Sequence, residues 1–201
     1  VIRTLAVAAL AALSLSGCAL LSSPDPVQLY RFGEPSGAVA TPVAEPVQVK
    51  LRALEMPQAS QGDRLLSLTG SEAAYVAGAR WVSPAIMLYS DALEASFASQ
   101  ARTVRLIGRR ELTQTTRLLD VDVRRFETRY DYAGGTPTVV ITARARLLRF
   151  PERTVVAEQT FSVSQPAGEN RVSAIVEAYD LATRDLNTQI VTWTDANAVG
   201  G

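Results

Sequence analysis

Apolar and polar residues alternate along Val27-Gln28-Leu29-Tyr30-Arg31-Phe32. They do so again where Val47, Val49 and Leu51 interleave with Gln48, Lys50 and Arg52. A period of two puts successive side chains on opposite faces of an extended chain, so both stretches are expected to be half-buried strands. Between them, residues 33–46 are rich in Gly, Pro and Ala and read as a surface connection. A loop is expected over Pro57–Asp63, followed by short strands at Arg64–Thr69 and Glu72–Ala77. The period then changes. Ser83-Pro84 marks a helix start, because a serine oxygen caps free amides and proline is pre-set for the first helical position. This helix is expected to run to about Ala101, with Ile86, Tyr89, Leu93 and Phe97 along one face.

From Arg102 the period returns to two. Val104 and Leu106 open a strand, and Leu119, Val121 and Val123 alternate with Asp120, Asp122 and Arg124. Tyr132-Ala133-Gly134-Gly135 supplies the turn of a long hairpin, whose second strand points Val139, Ile141, Ala143, Ala145 and Leu147 one way and Thr142, Arg144 and Arg146 the other. Pairing about that turn is expected to set Asp120 near Arg146 and Asp122 near Arg144, cross-strand ion pairs each contributing on the order of a few tenths of a kcal/mol. A tight turn at Pro151–Arg153 leads to a strand carrying Val155, Ala157, Phe161 and Val163 on one face. Asn170 is expected to cap a final helix with the stripe Val172, Ile175, Val176, Tyr179, Ala182, Leu186, Ile190 and Trp193. Two singly striped helices and a sheet with one apolar face satisfy each other as an α+β, two-layer sandwich, a mainly antiparallel sheet with both helices packed on one face. No internal repeat is present.

The first residues follow another rule. Arg3 precedes an apolar or small stretch from Leu5 to Leu15, about 11 residues, which reads as a secretory signal and is well short of the ~20 needed to span a bilayer as a helix. Leu15-Ser16-Gly17-Cys18 resembles the bacterial lipobox, in which small residues admit the signal peptidase and the cysteine sulfur receives diacylglycerol. Cys18 is the only cysteine of the chain. The resemblance implies acyl chains on Cys18, and two such chains suffice for stable anchoring. Ala19 after the cysteine, where aspartate favours inner-membrane retention, points to the outer membrane. The expected organisation is a lipoprotein signal peptide at 1–17, a lipidated tether at 18–26, an α+β domain at 27–195 and a tail at 196–201.

Composition narrows the chemistry. Twenty acidic residues balance twenty basic ones, so no nucleic-acid partner is advertised. Histidine is absent, which removes Ser-His-Asp triads, Cys-His dyads and histidine metal sites. No phosphate-binding or dinucleotide-binding glycine motif occurs. Asp120 with Asp122 has the composition of a glycoside-cleaving or hard-cation pair. Their alternation opposite arginines reads instead as solvated ion pairs. No catalytic residue, no metal ligand and no cofactor beyond the covalent lipid on Cys18 are therefore expected.

Several segments together resemble the ABC-type transport auxiliary lipoproteins, similar to the lipoprotein partners of MCE-type transporters. They are the lipobox ending at Cys18, Leu29-Tyr30, Val47-Gln48-Val49 with Leu54-Glu55-Met56-Pro57, Arg80-Trp81 followed by Pro84, and Ala178-Tyr179-Asp180-Leu181. The resemblance implies a non-catalytic outer-membrane lipoprotein facing the periplasm and docking an MCE-domain protein. Through that protein it would serve an ABC permease and ATPase in lipid transport, with self-association into a ring compatible with the same role. The partner would bind the sheet's solvent face or the loops around Arg80 and Trp81. The alternative for that pair is a tryptophan in the core with the arginine snorkelling past it. The alternative for the whole chain is a structural or assembly lipoprotein that binds envelope proteins without a transporter.

Overall fold

A computed structural model describes residues 27–34, 43–108, 111 and 113–199. Among the described residues eight strands and two helices follow in the order β1 (Gln28–Tyr30), β2 (Val47–Glu55), β3 (Arg64–Thr69), β4 (Glu72–Trp81), α1 (Ala85–Gln100), β5 (Val104–Ile107), β6 (Arg117–Tyr130), β7 (Thr138–Arg149), β8 (Val155–Pro166) and α2 (Val172–Ala198). The α+β class and the two-helix layer expected from periodicity are present.

The sheet is mixed. Its long ladders, β6–β7 and β7–β8, are antiparallel, as is β3–β4, whereas β1–β4, β2–β5, β2–β6 and β3–β6 are parallel. β7 occupies one edge of β6 along almost its whole length. On the opposite edge β2 pairs with the first half of β6, ending at Glu55↔Asp122, and β3 pairs only with its last residues, starting at Ser67↔Thr128. The sheet therefore forks along β6.

An aromatic cluster fills this fork. Phe126 of β6 lies 4.8 Å from Tyr179 of α2 and 5.2 Å from Phe32, and Trp81 at the end of β4 meets Phe32 and Tyr179 edge-on at 4.9 and 5.2 Å. Edge-to-face pairs of this kind add ~0.5–1.5 kcal/mol beyond the area they bury. Away from the fork, Val139, Ile141, Ala143, Ala145 and Leu147 of β7 are fully buried beneath α2. Leu186, Ile190 and Ile175 of the helix are buried as well. In α1, Tyr89, Leu93 and Phe97 are buried and Ile86 packs at the rim of the core.

Both helix starts differ from expectation. Ser83 makes no capping bond. α1 begins after an extended Pro84, and the amides of Ala85 and Ile86 donate to the carbonyls of Gly62 and Gln61, so a distant loop does the capping. Asn170 likewise does not cap α2, whose N-cap is an extended Arg171 without a side-chain bond. The Asn170 carboxamide instead accepts from the Tyr130 hydroxyl and donates to the Gly134 carbonyl, tying the β6–β7 turn to the helix entrance. The expected tail at 196–201 also begins too early. α2 continues to Ala198, which is buried, because its inward stripe runs on through Val191, Thr194 and Ala198.

Candidate functional site

The face of the sheet away from the helices carries the charged residues. Arg144 and Arg146 stand opposite Asp122 and Asp120 in the β6–β7 register, as the hairpin turn requires. Arg146 approaches Asp120 at 3.6 Å and Arg144 approaches Asp122 at 3.4 Å. Arg144 also reaches Glu158 of β8 at 3.8 Å, and Arg124 bonds Asp122 at 3.2 Å. Asp120 departs from the solvated picture, being only 3% exposed. Arg52, at the bulge where β2 shifts register against β6, donates two hydrogen bonds to its carboxylate. Those bonds hold the Arg52 guanidinium above the ordinary arginine pKa, against a smaller opposing effect of desolvation. Asp120 thus accepts two hydrogen bonds from Arg52 and lies in ion-pair range of Arg146.

Beside this array, Gln48, Lys50, Thr113, Gln114, Thr115, Thr116, Leu118, Phe150 and Pro151 border a broad open depression of about 930 Å³. Thr115 anchors one wall, its hydroxyl donating to the Gln48 carbonyl. Lys50, the only lysine of the chain, donates to the Glu111 carbonyl. Among the described residues no group of three or more Cys, Asp or Glu is placed to hold a metal ion, and no helix is long and apolar enough to cross a membrane.

A second region lies where β1, the end of β4 and the start of α1 meet. Arg80 and Trp81 part company here. The indole is buried in the aromatic cluster, whereas Arg80 points outward and pairs with Asp63 at 2.8 Å. The core reading of the tryptophan therefore describes its packing, and of the two only Arg80 is presented to solvent. Leu15, Ser16, Gly17 and Cys18 lie outside the described residues.

The two helices meet along small residues. Ala92, Ala95 and Ser96 of α1 border a cleft of about 50 Å³ with Thr183 and Asn187 of α2, both wholly buried. Gly33 enters the same seam at φ +74° and donates its amide to Asp180 of α2 at 2.8 Å. At the far end of α2, the Asp195 carboxylate accepts from the amides of Arg102, Thr103 and Val104 and from the Thr103 hydroxyl, fastening the helix to the start of β5. Sequence periodicity gave no hint of the Arg52–Asp120, Gly33–Asp180 or Asp195–Thr103 contacts. Each joins elements far apart in the chain, and the only local signals were an arginine in an alternating strand, a glycine after Phe32 and an aspartate near a helix end.

A forked mixed sheet with two helices on one face and ion pairs across its outer face defines an α+β domain. The ABC-type transport auxiliary lipoprotein component family matches residues 30–191, most of the chain, and the protein belongs to that family. Among solved structures it is similar to a Xanthomonas campestris protein at 25% identity and a TM-score of 0.69, over 85% of this chain and 96% of that one. An uncharacterised protein at 16% identity (TM-score 0.63, 84% of this chain and 98% of that chain) shares the fold. So does a hypothetical protein of Chlamydia trachomatis at 11% (TM-score 0.51, 79% and 100%). No curated protein matches.

Proposed function

We propose that this protein is a non-catalytic outer-membrane lipoprotein of an MCE-type ABC lipid transport system. It is held by acyl chains on Cys18 and docks the periplasmic MCE-domain partner, through which it serves the permease and ATPase. The family match over residues 30–191 carries this reading, and the lipobox-like Leu15-Ser16-Gly17-Cys18 ahead of it supports the anchor. The partner surface is the outer sheet face, where Asp122, Arg124, Arg144 and Glu158 alternate in sign across three strands. Such a mosaic favours a polar partner of matched pattern and discriminates by charge register more than by raw affinity.

Purification of the acylated chain from native membranes is expected to bring down an MCE-domain protein with its permease and ATPase. Deletion is expected to sensitise cells to detergents and large hydrophobic antibiotics. An intact barrier in the deletion strain together with no co-purifying MCE protein would refute the proposal. Cys18→Ser is expected to lose acyl labelling and release a folded domain.

A further inference from the structure

The exposed apolar residues of the β1–β4 corner are not scattered. β1 is a strand, so Val27, Leu29 and Arg31 share one face while Tyr30 and Phe32 turn to the core. Leu29 stands beside Arg80 in the parallel β1–β4 register, and the Val82 amide donates to the Tyr30 carbonyl, continuing the ladder. Val82, two residues after Arg80, falls on the same outward face. Val27, Leu29 and Val82 are 47%, 59% and 44% exposed, and Met87 in the first turn of α1 is 53% exposed. The two cations among them are already satisfied, Arg31 by Glu34 at 2.8 Å and Arg80 by Asp63 at 2.8 Å. The surface therefore combines exposed apolar side chains with two neutralised ion pairs.

Its position in the chain identifies the occupant. Val27 follows directly on the tether, and residues 18–26 span at most ~30 Å. An acyl chain on Cys18 would therefore keep this corner, more than any other part of the domain, within reach of the bilayer. At the high local concentration that tethering gives, a few apolar side chains suffice to hold a surface against lipid. Amphipathic contacts of this kind seat ~5–10 Å into the headgroup and acyl boundary.

We propose that the β1–β4 corner is a membrane-contact face, with Val27, Leu29 and Val82 entering the phospholipid interface, so that the domain lies against its membrane in a set orientation. The proposal rests on the acyl-anchor reading. It adds that the domain is held by two contacts, one covalent lipid and one apolar surface.

The test uses the acylated full chain carrying one introduced cysteine, Leu29→Cys, Val82→Cys or, as control on the outer face of β8, Thr160→Cys. A thioether at Cys18 does not react with thiol reagents, so an environment-sensitive fluorophore labels only the introduced site. Peptide mass spectrometry reads where the label sits. In phosphatidylcholine vesicles, labels at 29 and 82 are expected to emit at shorter wavelength than at 160 and to be quenched by lipids brominated on the acyl chain. Equal emission at all three positions, with the label absent from Cys18, overturns the membrane face while leaving the anchor intact. Label found on Cys18 overturns the anchor and the proposal with it. A concentration-dependent blue shift at position 29 in lipid-free Cys18→Ser protein assigns the surface to a second copy of the chain and also overturns the proposal.

Discussion

Arg52 and Asp120, 68 residues apart in sequence, form a two-bond guanidinium–carboxylate pair across the parallel β2–β6 ladder. The pair is asymmetric, since the carboxylate is buried while the Arg52 and Arg146 side chains remain 41% and 35% exposed. Removing the acid frees two arginines that can turn to water. Removing Arg52 leaves a buried carboxylate with a single partner at 3.6 Å.

Arg52→Ala is therefore expected to destabilise the fold more than Asp120→Ala, by about 3 kcal/mol against about 1–2 kcal/mol. Urea denaturation of both single variants and the double variant measures the difference. Equal losses would show that the carboxylate is better solvated than its burial implies.

Trp81 and Arg80 are neighbours with opposite environments. Trp81→Ala removes the ring that meets both Phe32 and Tyr179 edge-on and is expected to cost about 3–5 kcal/mol. Arg80→Ala breaks only an exposed pair with Asp63 and is expected to stay within about 1 kcal/mol of the parent. Midpoints of chemical denaturation separate the two.

Gly33 combines a positive φ with a close approach. A Cβ there would lie 2.4 Å from the Cβ of Ala92 on α1. Gly33→Ala is expected to destabilise by about 2 kcal/mol or more, through strain and forced separation of the seam. Gly33→Ala combined with Ala92→Gly relieves the clash but not the dihedral strain, so only part of the loss should return in thermal melts.

Tyr89 and Tyr179 are fully buried, and desolvation pushes both phenols above their usual value near 10. For Tyr179 a hydrogen bond with Thr128 partly offsets that shift. A folded-state pKa above the unfolded one means the native state holds its protons longer. Their contribution to stability is fully present below pH ~10 and is lost as pH rises beyond it toward the folded-state values. Phenolate absorbance during an alkaline titration should therefore rise in two stages, the second coinciding with loss of native circular dichroism. Ionisation of all six tyrosines before unfolding would contradict the buried assignment.

Much of this protein was legible locally. A period of two delivered the β6–β7 hairpin and, through the turn at residues 132–135, the register that pairs Asp120 with Arg146 and Asp122 with Arg144. A period near 3.6 delivered both helices and their buried faces. These features depend on neighbours within one hairpin or a few helical turns, where chain connectivity leaves few alternatives. The tertiary structure alone decided that β2 and β3 share one edge of β6, so that the sheet forks and Trp81 is drawn into the gap with Phe32, Phe126 and Tyr179. It alone decided that Arg52 closes over Asp120, that loop carbonyls rather than Ser83 receive the first amides of α1, and that Asn170 ties a turn instead of capping α2. Alternation tells which face of a strand is wet and nothing about which distant strand lies beside it. Parallel pairing between remote segments is settled only when the whole core closes, because each polar group then takes the partner that burial leaves within reach.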